Sequence, residues 1–168
     1  MSVEIISVHF PKAAGSSLKK SFLAAYGQEG VYFDYEDDPK DPTCQYYIDS
    51  DGCRDEASKI SERPGVKVIH GHFHPSKYDQ IKNAKRITFL RHPIDNLIST
   101  YFFWKKLEGP GHALFNYFHD NHLTLIELAK LPAIRYLMSR TYFGNFDMKL
   151  FDFIGFQESY SAGLSTRL

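Results

Sequence analysis

Lys12 sits in the stretch VHFPKAAGSSL (8–18), directly after an apolar run and just before two serines. A plain turn into a helix needs neither the lysine nor a run of residues as small as Ala13, Ala14, Gly15, Ser16 and Ser17. Small side chains leave backbone N–H groups accessible, a helix start adds about half a positive charge, and a lysine adds a whole one. That composition suits an anion. A second candidate is FLRHPIDNLISTYFFW (89–104), in which Arg91 ends an apolar run, Pro93 opens a helical pattern and Ser99 falls in its second turn. An arginine fork beside a hydroxyl suits a phosphate. Between the two lies HGHFHP (70–75), where His70, His72 and His74 alternate. An imidazole that titrates near neutrality can take a proton from a hydroxyl. Alternating histidines could also ligate a metal, but no acidic partner follows at a familiar spacing, and no metal ligand is assigned.

The elements that must position these residues follow from hydrophobic periodicity. Residues 3–10 are nearly continuously apolar (Val3, Ile5, Ile6, Val8, Phe10), as in a strand buried on both faces of a parallel sheet. Leu18, Phe22, Leu23, Ala25 and Tyr26 then recur at helical spacing, with Ser16 or Ser17 as cap and Gly27 as stop. Runs at 31–35, 66–72, 86–91 and 150–156 supply four more strands. The polar stretch 36–65 reads as a long excursion with one short helix near 54–62. Pro75 begins a short helix, and Pro93 a long one with Leu97, Ile98, Tyr101 and Trp104 on one face. Further helical patterns cover 112–119, 123–130 and 132–142. Strands alternating with helices predict an α/β fold, a P-loop-like three-layer sandwich around a central parallel sheet of about five strands with right-handed crossovers. Ligands of such sheets bind at the carboxyl ends of the strands, so Lys12 and Arg91 are expected on one edge. Two anion sites on one edge suit a ligand with phosphates at both ends.

The chain has 168 residues, the size of one ordinary domain, with 20 basic against 20 acidic side chains. Zero net charge argues against a protein that coats nucleic acid or membrane surfaces, so an anion site must be local. No apolar run approaches the roughly 20 residues of a bilayer span, and no basic segment leads into an apolar stretch at the N-terminus. A cytoplasmic location and free thiols at Cys44 and Cys53 are expected. Other features read as structural. His9 is a packed strand residue, while His112, His119 and His122 lie on helix surfaces. Tyr101 to Trp104 belong to the core rather than to an adenine platform, and Glu36, Asp37 and Asp38 form a solvated loop.

The first loop is not a nucleotide-triphosphate P-loop: no glycine begins it, the lysine precedes Gly15, and no acidic strand end for Mg²⁺ is evident. Instead the two anion segments resemble the 5′- and 3′-phosphate motifs of sulfotransferases that use 3′-phosphoadenosine 5′-phosphosulfate (PAPS), especially the carbohydrate, uronyl 2-O type. Pro11, Lys12, Ser16 and Ser17 match the first motif. Arg91, Pro93, Ile94, Leu97, Ile98, Ser99 and Tyr101 match the second, with His92 where the family has Asp. HGHFHP is similar to the family's intervening histidine segment, and FDFIGFQESY (151–160) to a later strand and turn.

The resemblance implies a single sulfotransferase-like domain over 1–168 that lacks part of the usual C-terminal segment. It implies PAPS as co-substrate without a metal, and an acceptor hydroxyl, of a glycan. Lys12, Ala13, Ala14, Gly15, Ser16, Ser17 and Leu18 would form the 5′ cradle, with Lys12 also stabilising the leaving phosphate. Arg91 and Ser99 would hold the 3′-phosphate. His70 and His72 would lie at the acceptor, with His72 as base. Four or five charge-assisted hydrogen bonds of roughly 1.5–3 kcal/mol each, plus base stacking, meet the about 8 kcal/mol of micromolar binding. A homodimer could cover the site. The alternatives are a catalytically impaired module that binds adenosine bisphosphate and, further off, an atypical P-loop kinase.

Overall fold

The computed structural model describes residues 3–160. β1 (Ile5–Val8) is buried at every position because it is the middle strand of a five-stranded sheet. With β2 (Val31–Asp34), β3 (Val68–Gly71), β4 (Lys85–Leu90) and β5 (Phe153–Phe156), the order is β2-β3-β1-β4-β5. Every pairing is parallel. Successive residues of a strand face opposite sides, and β1 serves both. Ile5 joins Leu18 and Phe22 of α1 (Gly15–Tyr26) with Val31, Val68, Ile87 and Phe89. Ile6 and Val8 point the other way, into a larger cluster with Phe10, Ile69, Phe73, Tyr78, Tyr142 and Phe143. Helices therefore layer both faces, as an all-parallel sheet requires.

α1 starts differently from the expectation. Ala14, in the left-handed region at φ 61°, precedes its first turn, and no side chain caps it. Ser16 and Ser17 lie inside that turn, and the Ala14 carbonyl accepts from the N–H groups of Ser17 and Leu18. Lys12 is also left-handed, at φ 59°. Such non-glycine conformations cost about 1–3 kcal/mol and persist only where surroundings enforce them. Gly27, at φ 71°, ends the helix as expected.

The excursion after β2 is more ordered than its polarity indicates. It carries α2 (Gln45–Ile48), α3 (Ser50–Ser58) and a 3₁₀ turn at Lys59–Glu62. Its acidic run is not a solvated loop. Asp37 is buried, and Lys77 Nζ lies 3.0 Å from its carboxylate and 2.8 Å from that of Asp34. Tyr78 donates its hydroxyl hydrogen to Asp34 at 2.8 Å. Cys44 and Cys53 are buried free thiols, Cys53 against Asp37 at 3.4 Å. The ionic knot explains the ordering: it pins the excursion to the 3₁₀ turn Pro75–Tyr78 after β3.

α4 (Pro93–Lys106) buries Asn96, Thr100 and Trp104, a line four residues apart, rather than the apolar face through Leu97 and Ile98. Ile98 is exposed, and Leu97 and Tyr101 are half-buried. The polar members of the buried line face the loop after β1. Trp104 instead packs with Phe115, Phe118, Leu128 and Ile134, contributed by α5 (Ala113–Asp120), α6 (Leu125–Lys130) and α7 (Pro132–Arg135). A wide π-type turn, Leu137–Tyr142, then leads back to the sheet.

Candidate active site

Parallel pairing brings the ends of β1, β3, β4 and β5 to one edge, and hydrogen bonds lock their loops together there. Asn96 donates its amide to the Pro11 carbonyl at 2.6 Å. The Arg91 guanidinium donates to the Lys12 carbonyl at 3.4 Å. The Ala14 N–H donates to the Gln157 side-chain oxygen at 3.2 Å, tying in the segment after β5. These bonds supply the surroundings that hold Lys12 and Ala14 left-handed.

Beneath them is a cavity of about 410 Å³, lined by Lys12, Ala14, Gly15, Ser16, Ser17, Arg91 and Ser99 with His9, Lys40, His72, Thr100, Phe103, Trp104 and Gln157. Its size falls within the roughly 300–1,000 Å³ of small-molecule sites. Gly15 is required by close approach: a Cβ there would lie 1.7 Å from His9 Nε2. The loop lies directly against the imidazole, and α1 begins at the cavity. Among the described residues, the N–H groups of Gly15 and Ser16 find no acceptor.

The charge distribution is one-sided. Neither Lys12 nor Arg91 has a carboxylate within 4 Å among the described residues. Lys12 Nζ rests 3.8 Å from the centre of the Phe103 ring. Burial, and then the neighbouring Arg91, push its pKa down. Two cations held together with open N–H groups form a site that an anion would relieve.

His72 is half-buried on the cavity wall. Its Nδ1 lies 2.7 Å from the His9 carbonyl oxygen. A carbonyl can only accept, so Nδ1 carries the hydrogen and Nε2 is the bare nitrogen. Burial lowers its pKa, which keeps the ring neutral at pH 7. His9 is more than a packed strand residue: its ring stacks on His72 at 4.3 Å and on His70 at 5.3 Å, and it lines the cavity.

His70 does not reach the cavity. It is fully buried, with Nδ1 2.9 Å from Ser7 Oγ. His74 turns away, donating to the Gly144 carbonyl at 2.9 Å and stacking on Tyr46. The three alternating histidines thus diverge because the strand ends at Gly71, and no group of metal-binding side chains converges among the described residues. Ala13 and Leu18, also assigned to the cradle, have their side chains buried in the core. Phe103 is 44% exposed, not core, while Trp104 is buried between the helical cluster and the cavity.

Lys40, Thr100 and Gln157 belong to the cavity without a sequence signal, and Phe103, expected in the core, lines it too. Phe103 follows Ser99 by one helical turn and so shares its face; that spacing was the available signal. Lys40 pairs with Asp38 at 3.1 Å and also borders a broader depression of about 630 Å³ lined by Tyr47, Tyr117 and Arg140 among others.

No protein-family model matches this chain. No curated protein matches it either. Among solved structures, an uncharacterized protein from Eubacterium ventriosum aligns with 99% of this chain and 100% of its own, at 10% identity and a TM-score of 0.47. A sulfotransferase from Alicyclobacillus acidocaldarius aligns over 96% of this chain and 76% of its own, at 16% identity and a TM-score of 0.45. Retinol dehydratase, solved with androsterone and the inactive cofactor PAP, aligns over 96% and 56%, at 13% identity and a TM-score of 0.39. These likenesses are distant, and nothing about the site's chemistry rests on them.

Proposed function

We propose that the chain is a sulfotransferase that moves a sulfuryl group from PAPS to a carbohydrate hydroxyl. The observation that carries this reading is the convergence of Lys12 and Arg91, without acidic partners among the described residues, on a cavity whose wall holds His72 with Nε2 bare. The residues suit a ligand with two phosphates: Lys12 with the Gly15 and Ser16 N–H groups at one end, Arg91 with Ser99 at the other. When bound, PAPS supplies the sulfuryl group and a phosphate leaving group.

This chain's residues do the remainder. His72 Nε2 takes the proton from the acceptor hydroxyl. Lys12 exchanges its contact with Phe103 for the negative charge that develops on the leaving phosphate. Arg91 and Ser99 fix the nucleotide's far end, so binding energy there supports alignment at the reacting centre. The exposed rings of Tyr47 and Tyr117 in the adjoining depression support a sugar acceptor, which can lay a pyranose face against them.

Calorimetry with adenosine 3′,5′-bisphosphate, followed by a PAPS-dependent transfer assay on uronic-acid and neutral oligosaccharides, tests the reading. Bisphosphate binding with transfer supports it. Bisphosphate binding without transfer to any acceptor would leave a nucleotide-binding module. Mg²⁺-dependent ATP binding in place of the bisphosphate would overturn it.

A further inference from the structure

Behind the Nδ1 edge of His72 stands a chain of polar groups that sulfuryl transfer by itself does not demand. The Tyr142 hydroxyl oxygen lies 3.2 Å from His72 Nδ1. Tyr142 is fully buried and gives its own hydrogen to Asp38 Oδ1 at 2.7 Å. Asp38 also accepts from the Lys40 backbone N–H at 3.0 Å, and its other oxygen pairs with Lys40 Nζ at 3.1 Å. The directions of these bonds are forced. The His9 carbonyl claims the Nδ1 hydrogen, and Asp38 claims the tyrosine hydrogen. The Tyr142 oxygen can therefore only accept from Nδ1–H, as a second, longer acceptor.

We propose that Tyr142 and Asp38 are positioning residues for His72, a hydroxyl and a carboxylate lined up behind Nδ1 that steady the ring and share the positive charge it acquires. This rests on the reading of His72 as the group that deprotonates the acceptor. In that step the acceptor O–H proton moves to Nε2 while the new O–S bond forms. The S–O bond to the phosphate breaks, with its electron pair going to the phosphate oxygen. Nδ1 keeps its hydrogen throughout, so the imidazolium charge is met from behind by His9 O directly and by Asp38 through Tyr142. The same logic places a carboxylate behind the histidine of hydrolytic triads, here with a phenol interposed.

The groups facing His72 come from several elements. They are His9 after β1, Asp34 and Tyr35 at the end of β2, Asp38 and Lys40 in the excursion, His70 of β3, and Tyr142 of the π-type turn. Burial lowers the His72 pKa, Asp38 opposes that, and Lys40 adds to it. The two charged neighbours therefore act on the ring with opposite signs, so removing each should move its titration in opposite directions.

The test is ¹⁵N NMR titration of the His72 ring in the full chain, alongside pH profiles of kcat. Asp38→Asn should lower the His72 pKa by about one unit, a tenfold loss of proton affinity. Lys40→Met should raise it, and Tyr142→Phe should lower it by less than Asp38→Asn. The acid limb of kcat should follow each shift. In Tyr142→Phe, kcat should drop about tenfold with the KM for PAPS unchanged, since one hydrogen bond to a charged group is lost. Circular dichroism and the urea midpoint report that each variant is folded. Should Asp38→Asn fail that check, Tyr142→Phe and Lys40→Met decide. An identical His72 titration in all folded variants overturns the proposal. If the wild-type protein transfers no sulfuryl group, the functional reading falls, while the titrations still decide the relay.

Discussion

Lys12 illustrates how one side chain can be held ready with no carboxylate partner among the described residues. Its backbone is left-handed, its carbonyl is gripped by Arg91, and its ammonium lies on Phe103 rather than against a carboxylate. A cation–π contact is weaker than a paired phosphate, so the ammonium is free to move to the stronger partner. Lys12→Ala should therefore lower transfer on the order of 10²-fold or more and weaken bisphosphate binding, as steady-state kinetics and calorimetry would show. His72→Ala should cost a similar factor in kcat with binding retained, since it acts at the acceptor's proton. Normal kcat in either variant would remove that residue from the mechanism. At this scale the sequence was informative where residue type was surprising: Lys12, Arg91, Ser99 and His72 all line the one cavity. It was silent on Lys40 and Gln157. Lys40 lies in a polar excursion and Gln157 after the last strand, and only tertiary packing brings them to the loop.

At the level of elements, the histidines just after β1 and on β3 couple the sheet to pH. Burial lowers the pKa of His70 from 6.5 to about 4 and that of His9 to about 2. Both are neutral in the folded chain, whereas in the unfolded chain they bind protons below about pH 6.5. The fold thus has its full stability above pH 6.5. It should lose about 1.4 kcal/mol per pH unit per histidine as the pH falls below that value, until about pH 4 for His70. Urea titrations between pH 7.5 and about 4.5 should show this decline, and His70→Asn should flatten it.

The knot at Lys77 makes a separate prediction. Its two carboxylates, Asp34 and Asp37, are each about 6% exposed, so Lys77→Met leaves them unpaired and facing each other. Breaking a buried pair costs about 3–5 kcal/mol, readable as a lower urea midpoint. A loss below 1 kcal/mol would mean the knot does not hold the excursion. The strands and long helices were legible because their apolar periodicity is local. The acidic run was misread because its partner lies about 40 residues away, and a carboxylate's neighbours decide whether it is solvated or buried.

Over the whole molecule, the charges balance while the cavity does not. Bisphosphate affinity should therefore weaken several-fold as salt rises from about 0.05 to 0.5 M, since the cations that attract it are partly open to solvent. Salt-independent binding would place the ligand elsewhere. The layered architecture and the edge carrying the site were legible in full, because alternating strands and helices allow few arrangements. The polar line on α4 was not. Asn96 and Thr100 face inward because Asn96 anchors the opposite loop, a demand that no pattern within the helix encodes.

Trp104 is the chain's single tryptophan, and it is buried where the helical cluster meets the cavity. The molecule therefore contains its own optical gauge. Intrinsic emission excited near the red edge of protein absorbance comes from one indole only, against the wall where ligand and helices meet. Nucleotide occupancy and loosening of that helical layer could be followed by the colour and intensity of a single native fluorophore, without attaching any dye.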